Sequence, residues 1–233
     1  MVDVKTKIAE LEIIAGSPVI CVESTAFLTV LKLRDIPSYY VYDKEMELVG
    51  VFSHYNTTST TRYRVVGVGQ GIFGVINWRG NLVIPMEFKC LKPLDKNGLY
   101  WRFSRDMRRY GCVMVRNKTI LEGIYSELDY INHGTFIACE LHLFHDDREL
   151  KLIKDGKVIL LGKEVSSVDR LNKHNILLRR KDMLCAIMNV NTLHKTEFKY
   201  LWCQLGMDDS IGVFTTKYKR DRVLLGESSV TKL

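Results

Sequence analysis

The chain has 233 residues, 46% of them hydrophobic and 26% charged, which excludes a disordered polypeptide and leaves enough apolar matter for a sizeable core. No run of 18 apolar residues occurs, so no membrane-spanning helix is expected, and the acid-bearing start Met1-Val2-Asp3-Val4-Lys5 does not read as a secretory signal. Lys and Arg outnumber Asp and Glu by 34 to 27, and the net charge of +7 favours acidic partners such as phosphates, nucleic acid or an acidic protein face.

Residues 1–16 read as a preface, with a short amphipathic helix over 5–14 closed by Gly16 and Pro18. From Pro18 onward, short runs rich in Val, Ile, Phe, Tyr and Leu alternate with Gly, Asn, Asp and Pro, which is the strand-and-turn signature. The first set of strands falls at 26–33, 39–43, 47–52 and 63–68. The next stretch, 69–103, is read as strand 73–77, a Gly80 turn, strand 82–84 stopped by Pro85, strand 87–92, a turn at 95–98 and strand 99–103. The same order recurs over 109–139, 149–178 and 183–216, and a spare strand at 222–225 is expected to pair with the first set.

Two landmarks keep pace through these copies. Gly74, Gly111, Lys151 and Ala186 follow one another at steps of 37, 40 and 35 residues, and Phe88, Tyr125, Val165 and Phe198 trail them by 14, 14, 14 and 12. A fixed period of this length marks a repeat protein, and four short strands per repeat suit the blade of a β-propeller. The predicted fold is therefore all-β, a single domain over 17–233 forming a five-bladed β-propeller with blades at 26–68, 69–103, 109–139, 149–178 and 183–216. An open array of β-hairpins is the alternative arrangement.

The run Phe73-Gly74-Val75-Ile76, Gly80-Asn81-Leu82-Val83-Ile84-Pro85 and Glu87-Phe88 resembles the WG repeat, also called KWG, and Tyr110-Gly111 with Ile124-Tyr125 follows it more loosely. The resemblance covers about residues 72–216, and no copy keeps the Trp-Gly pair itself. It implies a repeat fold and a non-enzymatic binding role, and it transfers no catalytic residue.

Other chemistry is weaker in the sequence. Gly69-Gln70-Gly71-Ile72-Phe73-Gly74 has the letters of GxGxxG, but a strand follows where a dinucleotide site needs a helix, so it reads as a flexible link between two blades. His133, Cys139, His142, His145 and Asp146 crowd one region without metal-ligand spacing and read as a solvated turn. The six cysteines, Cys21, Cys90, Cys112, Cys139, Cys185 and Cys203, form no CxxC pair, and reduced thiols in a cytoplasmic protein are expected. In that compartment the sequons at Asn56 and Asn117 carry no glycan. No GxSxG, HExxH or P-loop occurs, and neither an enzyme activity nor a cofactor or metal is predicted. Trp78, Trp101 and Trp202 are read as packing residues.

Charge carries the functional expectation. If the repeats are blades, the links between them converge on one face, bringing together Arg102, Arg105, Arg108 and Arg109 from one copy with Arg179, Arg180 and Lys181 from another. Lys217, Lys219 and Arg220 follow the last copy, and Lys163, His194 and Lys195 lie in turns expected on the same face, with Trp101 and Tyr218 nearby. That face predicts an acidic protein or an anionic ligand as partner, with a nucleotide or nucleic acid as the alternative and no membrane. A lectin-like role would need aromatic pockets recurring blade by blade, and the aromatics do not recur that way.

Overall fold

A computed structural model of the chain describes residues 3–57, 62–69, 71–115, 118–132, 134–141, 148–205, 211–215, 220–225 and 230–232. The expected helix is present as α1 (Val4–Ala15): Asp3 caps its start by accepting the Thr6 amide at 2.8 Å, and Gly16 ends it in the left-handed region, donating to the Glu12 carbonyl. Leu11 of α1 is buried against Leu31 and Tyr42 of the sheet that follows.

Every strand pairing described after α1 is antiparallel. The first compact unit, Met1–Ile124, holds three sheets: β1 (Val19–Ser24) to β4 (Leu48–Phe52) by way of β2 (Leu28–Leu33) and β3 (Tyr39–Asp43); then β5 (His54–Thr57), β6 (Tyr63–Val68), β7 (Ile72–Asn77) and β8 (Leu82–Phe88); then β9 (Cys90–Pro93), β10 (Tyr100–Ser104), β11 (Tyr110–Met114) and β12, which runs to the unit's end (Lys118–Tyr125). The second unit, Tyr125–Leu233, holds β13 (Glu127–Asn132), β14 (Thr135–Leu141), β15 (Arg148–Lys154) and β16 (Lys157–Leu160); a three-stranded sheet of β17 (Val165–Arg170), β18 (Asn175–Arg180) and β19 (Cys185–Asn189); and β20 (Trp202–Leu205), β21 (Ile211–Phe214), β22 (Arg220–Leu225) and β23 (Val230–Lys232). In every sheet the spatial order of the strands is their order along the chain.

Within each unit the sheets stack face to face, because a sheet of this size buries its apolar side chains only against a neighbour. On β6, successive residues serve opposite cores: Val66 packs with Val30 and Val41 of the first sheet, while Val65 packs with Trp101 and Phe103 of the third. In the second unit Ile176 and Leu178 join the core with Ile131 and Leu152, and the intervening Leu177 joins Ile211 and Val213. Two buried faces explain why these strands read as continuous apolar runs rather than as an alternating pattern.

The landmark glycines have a steric cause. A Cβ at Gly74 on β7 would lie 2.7 Å from Met86 Cγ and 2.8 Å from the Ile84 carbonyl oxygen, and one at Gly111 on β11 would lie 2.5 Å from the Leu121 oxygen. Glycine thus lets the fourth strand press against the third. Opposite Gly74 the ladder slips: Val75 pairs with Ile84 and Phe73 with Phe88, leaving extra residues on β8. Pro85 sits in that bulge, on a strand bonded on one side only, so it does not stop the strand as expected and β8 runs on to Phe88.

The sheet boundaries fall two strands away from the expected blade boundaries, and six sheets form among the described residues where five blades are expected. The expected strand 87–92 is the end of β8 and the start of β9, joined by Lys89 alone, whose amide donates to the Ser104 carbonyl of the next sheet at 2.8 Å. Ser53 and Ser126 make the same one-residue step, donating to Gly67 and Cys139 at 2.9 and 2.8 Å. So short a link carries no turn signature, so adjoining strands of two sheets merge in the sequence. The segment 222–225, expected to pair with the first strand set, instead belongs to β22, which pairs with β21 and β23. Gly69 and Gly71 flank the hairpin between β6 and β7 and do not link two sheets.

Candidate functional site

The basic segments expected as links between blades are hairpins within a sheet. Residues 105–109 join β10 to β11, and residues 181–184 join β18 to β19. Both occupy the same place, between the second and third strands of their sheets.

In the first unit, Asp106 builds the hairpin. Its Oδ1 accepts the backbone amides of Arg108 and Arg109, each at 2.9 Å, while Ser104 Oγ accepts the Met107 amide at 2.8 Å. The two amide donors hold the Asp106 carboxyl below the usual carboxylate range. Met107 is left in the left-handed region, φ 66°, and exposed. The carboxylate is bound to backbone, and the Arg108 and Arg109 side chains are exposed with no ion-pair partner among the described residues. Arg105 is different: it pairs with Glu87 at 3.1 Å and lies over the Phe88 and Phe103 rings. Arg102 is not on the hairpin. It projects from β10 over the Tyr110 ring at 4.7 Å, and its buried Nε has no hydrogen-bond partner among the described residues.

The hairpin of the second unit repeats the plan with a different charge balance. Met183 again has φ 70°, preceded by an aspartate whose Oδ1 accepts the Leu184 amide at 3.2 Å. Asp182 also receives two hydrogen bonds from the Arg180 guanidinium, which lower its pKa and raise that of Arg180. Arg180 and Lys195 meet over one ring, Phe198, at 5.5 and 5.1 Å. Lys163 and Lys181 are exposed at the end of the sheet where Val165 pairs with Arg180. Arg179 projects to the opposite side of β18 from Arg180, donating to Cys185 Sγ at 3.4 Å and approaching Asp169 at 3.7 Å.

Each unit thus gathers part of the expected basic set: Arg105, Arg108 and Arg109 in the first, and Arg180, Lys181, Lys163 and Lys195 in the second. Arg102 and Arg179 are held within their sheets by ring and thiol contacts. Lys217, Lys219 and Tyr218 lie outside the described residues, and Arg220 is described only as the first residue of β22. The exposed methionines are the feature that charge counting passes over. Their signal is an Asp-Met pair at 106–107 and again at 182–183, two repeats apart.

Trp101 is fully buried with its Nε1 donating to the Gly98 carbonyl at 2.7 Å, as a packing residue should be. Trp202 departs from that expectation, being 46% exposed and stacked on Phe214 at 3.9 Å. Burial pushes the Cys112 and Cys203 thiols up to about 12, so these two are neutral at physiological pH. Among the described residues no three metal-ligating side chains gather, while His133, His142, His145 and Asp146 lie outside them. No described helix is long and apolar enough to cross a membrane.

No protein-family model and no curated protein sequence matches the chain. Among solved structures, a eukaryotic initiation factor is 9% identical with a TM-score of 0.47, the match covering 88% of this chain and 62% of that one. The WD40 β-propeller domain of Doa1 is 14% identical over 83% of this chain and 73% of that one, with a TM-score of 0.33. Apo AztD from Citrobacter koseri is 11% identical over 92% of this chain and 70% of that one, with a TM-score of 0.39.

Proposed function

We propose that the protein is a non-enzymatic binding module of the cytoplasm that engages an acidic protein surface through its basic hairpins, its sheets serving as successive blades of a WG-like propeller. The observation that carries this reading is the division of labour at Asp106. Asp106 Oδ1 accepts the backbone amides of Arg108 and Arg109, the carboxylate feels the charge of Arg109 nearby, and neither guanidinium is held in an ion pair among the described residues. Arg108 and Arg109 are therefore offered to solvent on a fixed turn, with Met107 as an adaptable apolar contact beside them. In the second unit Lys181, Lys163 and Lys195 would extend the same preference for acidic groups.

The test is affinity capture with the tagged full chain and with the Arg108→Glu/Arg109→Glu variant, whose melting temperature should match the parent because neither side chain is buried. Loss of a specific acidic partner from the variant, with binding that weakens as salt rises, supports the reading. An acidic partner retained equally by both chains overturns it. Retention of the parent chain by RNA or DNA with a steep salt slope would instead assign these arginines to nucleic acid.

A further inference from the structure

A cleft of about 530 Å³ opens in the first unit, at the end of the core shared by the second and third sheets. Its floor is apolar: Tyr63 at the start of β6, Val83 on β8 and Val115 just after β11 all pack against that core. Its rim is polar, formed by Arg62 ahead of β6 and by Asn77 and Trp78 where β7 turns toward β8. The turn is fixed, because Asn77 Oδ1 accepts the Arg79 and Asn81 amides at 2.9 and 3.0 Å. Those two bonds also settle which way the side-chain amide is oriented, and leave its Nδ2 as a donor. Trp78 is held by the Phe27 ring, edge-on at 4.3 Å, and by the Arg79 guanidinium over it at 4.5 Å. Arg62 is exposed, and neither its guanidinium nor the Trp78 indole N–H has a polar partner among the described residues. No described carboxylate lines the cleft.

We propose that this cleft binds a small-molecule carboxylate carried on an apolar body. Its volume lies in the range of about 300–1,000 Å³ that suits small ligands. The Arg62 guanidinium is planar and permanently charged, and its fork matches the two oxygens of a carboxylate. Asn77 Nδ2 and the Trp78 N–H are neutral donors that can complete the hydrogen bonds of the anion. One cation among the described lining residues balances one negative charge, which suits a carboxylate better than a phosphate monoester of about −2. The apolar body would cover Tyr63, Val83 and Val115 and remove from water the core edge that the two sheets leave open. The site goes beyond the proposed partner surface: none of the basic hairpin residues lines it, and its ligand is a small molecule rather than a protein.

The test is an NMR titration of the full chain, labelled with nitrogen-15 at its tryptophan indoles. Trp101, fully buried and bonded to the Gly98 carbonyl, serves as the internal reference. The probes are 3-phenylpropionate, the uncharged 3-phenylpropanol, propionate and 3-phenylpropyl phosphate. 3-Phenylpropionate should shift the Trp78 indole signal saturably, leave that of Trp101 in place, and bind about tenfold tighter than the alcohol or propionate. Arg62→Gln should weaken it about tenfold and Arg62→Lys recover part of the loss, the exposed side chain being dispensable for the fold. The Arg108→Glu/Arg109→Glu variant should bind 3-phenylpropionate like the parent, which separates this site from the partner surface. No saturable shift at Trp78, the alcohol binding as tightly as the acid, Arg62→Gln binding like the parent, or the phosphate binding more tightly than the carboxylate would each overturn the assignment.

Discussion

Arg64 on β6 and Glu23 on β1 meet in a two-pronged ion pair, Nη2 to Oε1 at 2.5 Å and Nε to Oε2 at 2.9 Å, while the Tyr55 hydroxyl donates to the same carboxylate. The side chains are 11% and 12% exposed, so each charge depends on the other for solvation. Burial opposes ionisation of Glu23, but hydrogen bonds from Arg64 and Tyr55 outweigh it and hold the carboxyl below its ordinary value. Glu23→Gln should therefore cost about 2 kcal/mol in urea unfolding at neutral pH, somewhat less than a fully buried pair. A depressed carboxylate contributes its stability above the unfolded value of about 4.3 and loses it as pH falls through the folded one. The gap between parent and Glu23→Gln should accordingly narrow in acid, and a gap that widens there would contradict the arrangement.

The third and fourth strands of the second and third sheets approach too closely for a methyl group. Gly74→Ala and Gly111→Ala should each lower unfolding free energy by about 2 kcal/mol, since the atoms met at 2.8 and 2.5 Å are backbone oxygens that cannot swing aside. Gly156→Ala is the control: nothing lies within 4 Å, and only the positive φ of 74° opposes it, at about 1 kcal/mol.

Met183 carries a side chain where the backbone favours glycine. Relief of the left-handed conformation is worth about 1–2 kcal/mol and the added freedom of an unfolded glycine takes back about 0.5–1. Met183→Gly should thus leave thermal stability unchanged or raise it slightly. A clear fall in melting temperature would mean that the exposed thioether makes contacts that hold the fold.

Cysteine labelling should follow burial. With Cys112 fully buried and its thiol pushed up to about 12, iodoacetamide at pH 8 should modify the exposed Cys21 first and reach Cys112 only on unfolding. Mass spectrometry of a timed reaction gives the order directly.

Much of the strand content is legible in the sequence, because strands buried on both faces are unbroken apolar runs between turn residues. The expected strands 39–43 and 63–68 coincide with β3 and β6. What the sequence hides is where one sheet stops. Lys89 is a single-residue step between sheets, so 87–92 reads as one strand. The bulge at Pro85 hides for a related reason, since proline is tolerated on a strand's unbonded side. Turn ends are more openly written than charge counting suggests: Asp43, Asn77 and Asn189 end the third strands of their sheets, and each accepts two following amides at 2.9–3.1 Å. For the candidate site, sequence supplies the arginines but not their partners. Nothing in the string of letters tells that Arg105 meets Glu87, that Arg179 turns to Cys185, or that Asp106 is bonded to backbone amides.

The chain-order arrangement of strands has a kinetic corollary. Among the described residues no ladder skips a strand, so the second sheet needs only residues 54–88 to form. Within each unit assembly can follow synthesis, a finished sheet offering the next one of that unit a ready apolar face. Slow search steps that hold back β proteins with long-range pairing are thereby designed out of this one.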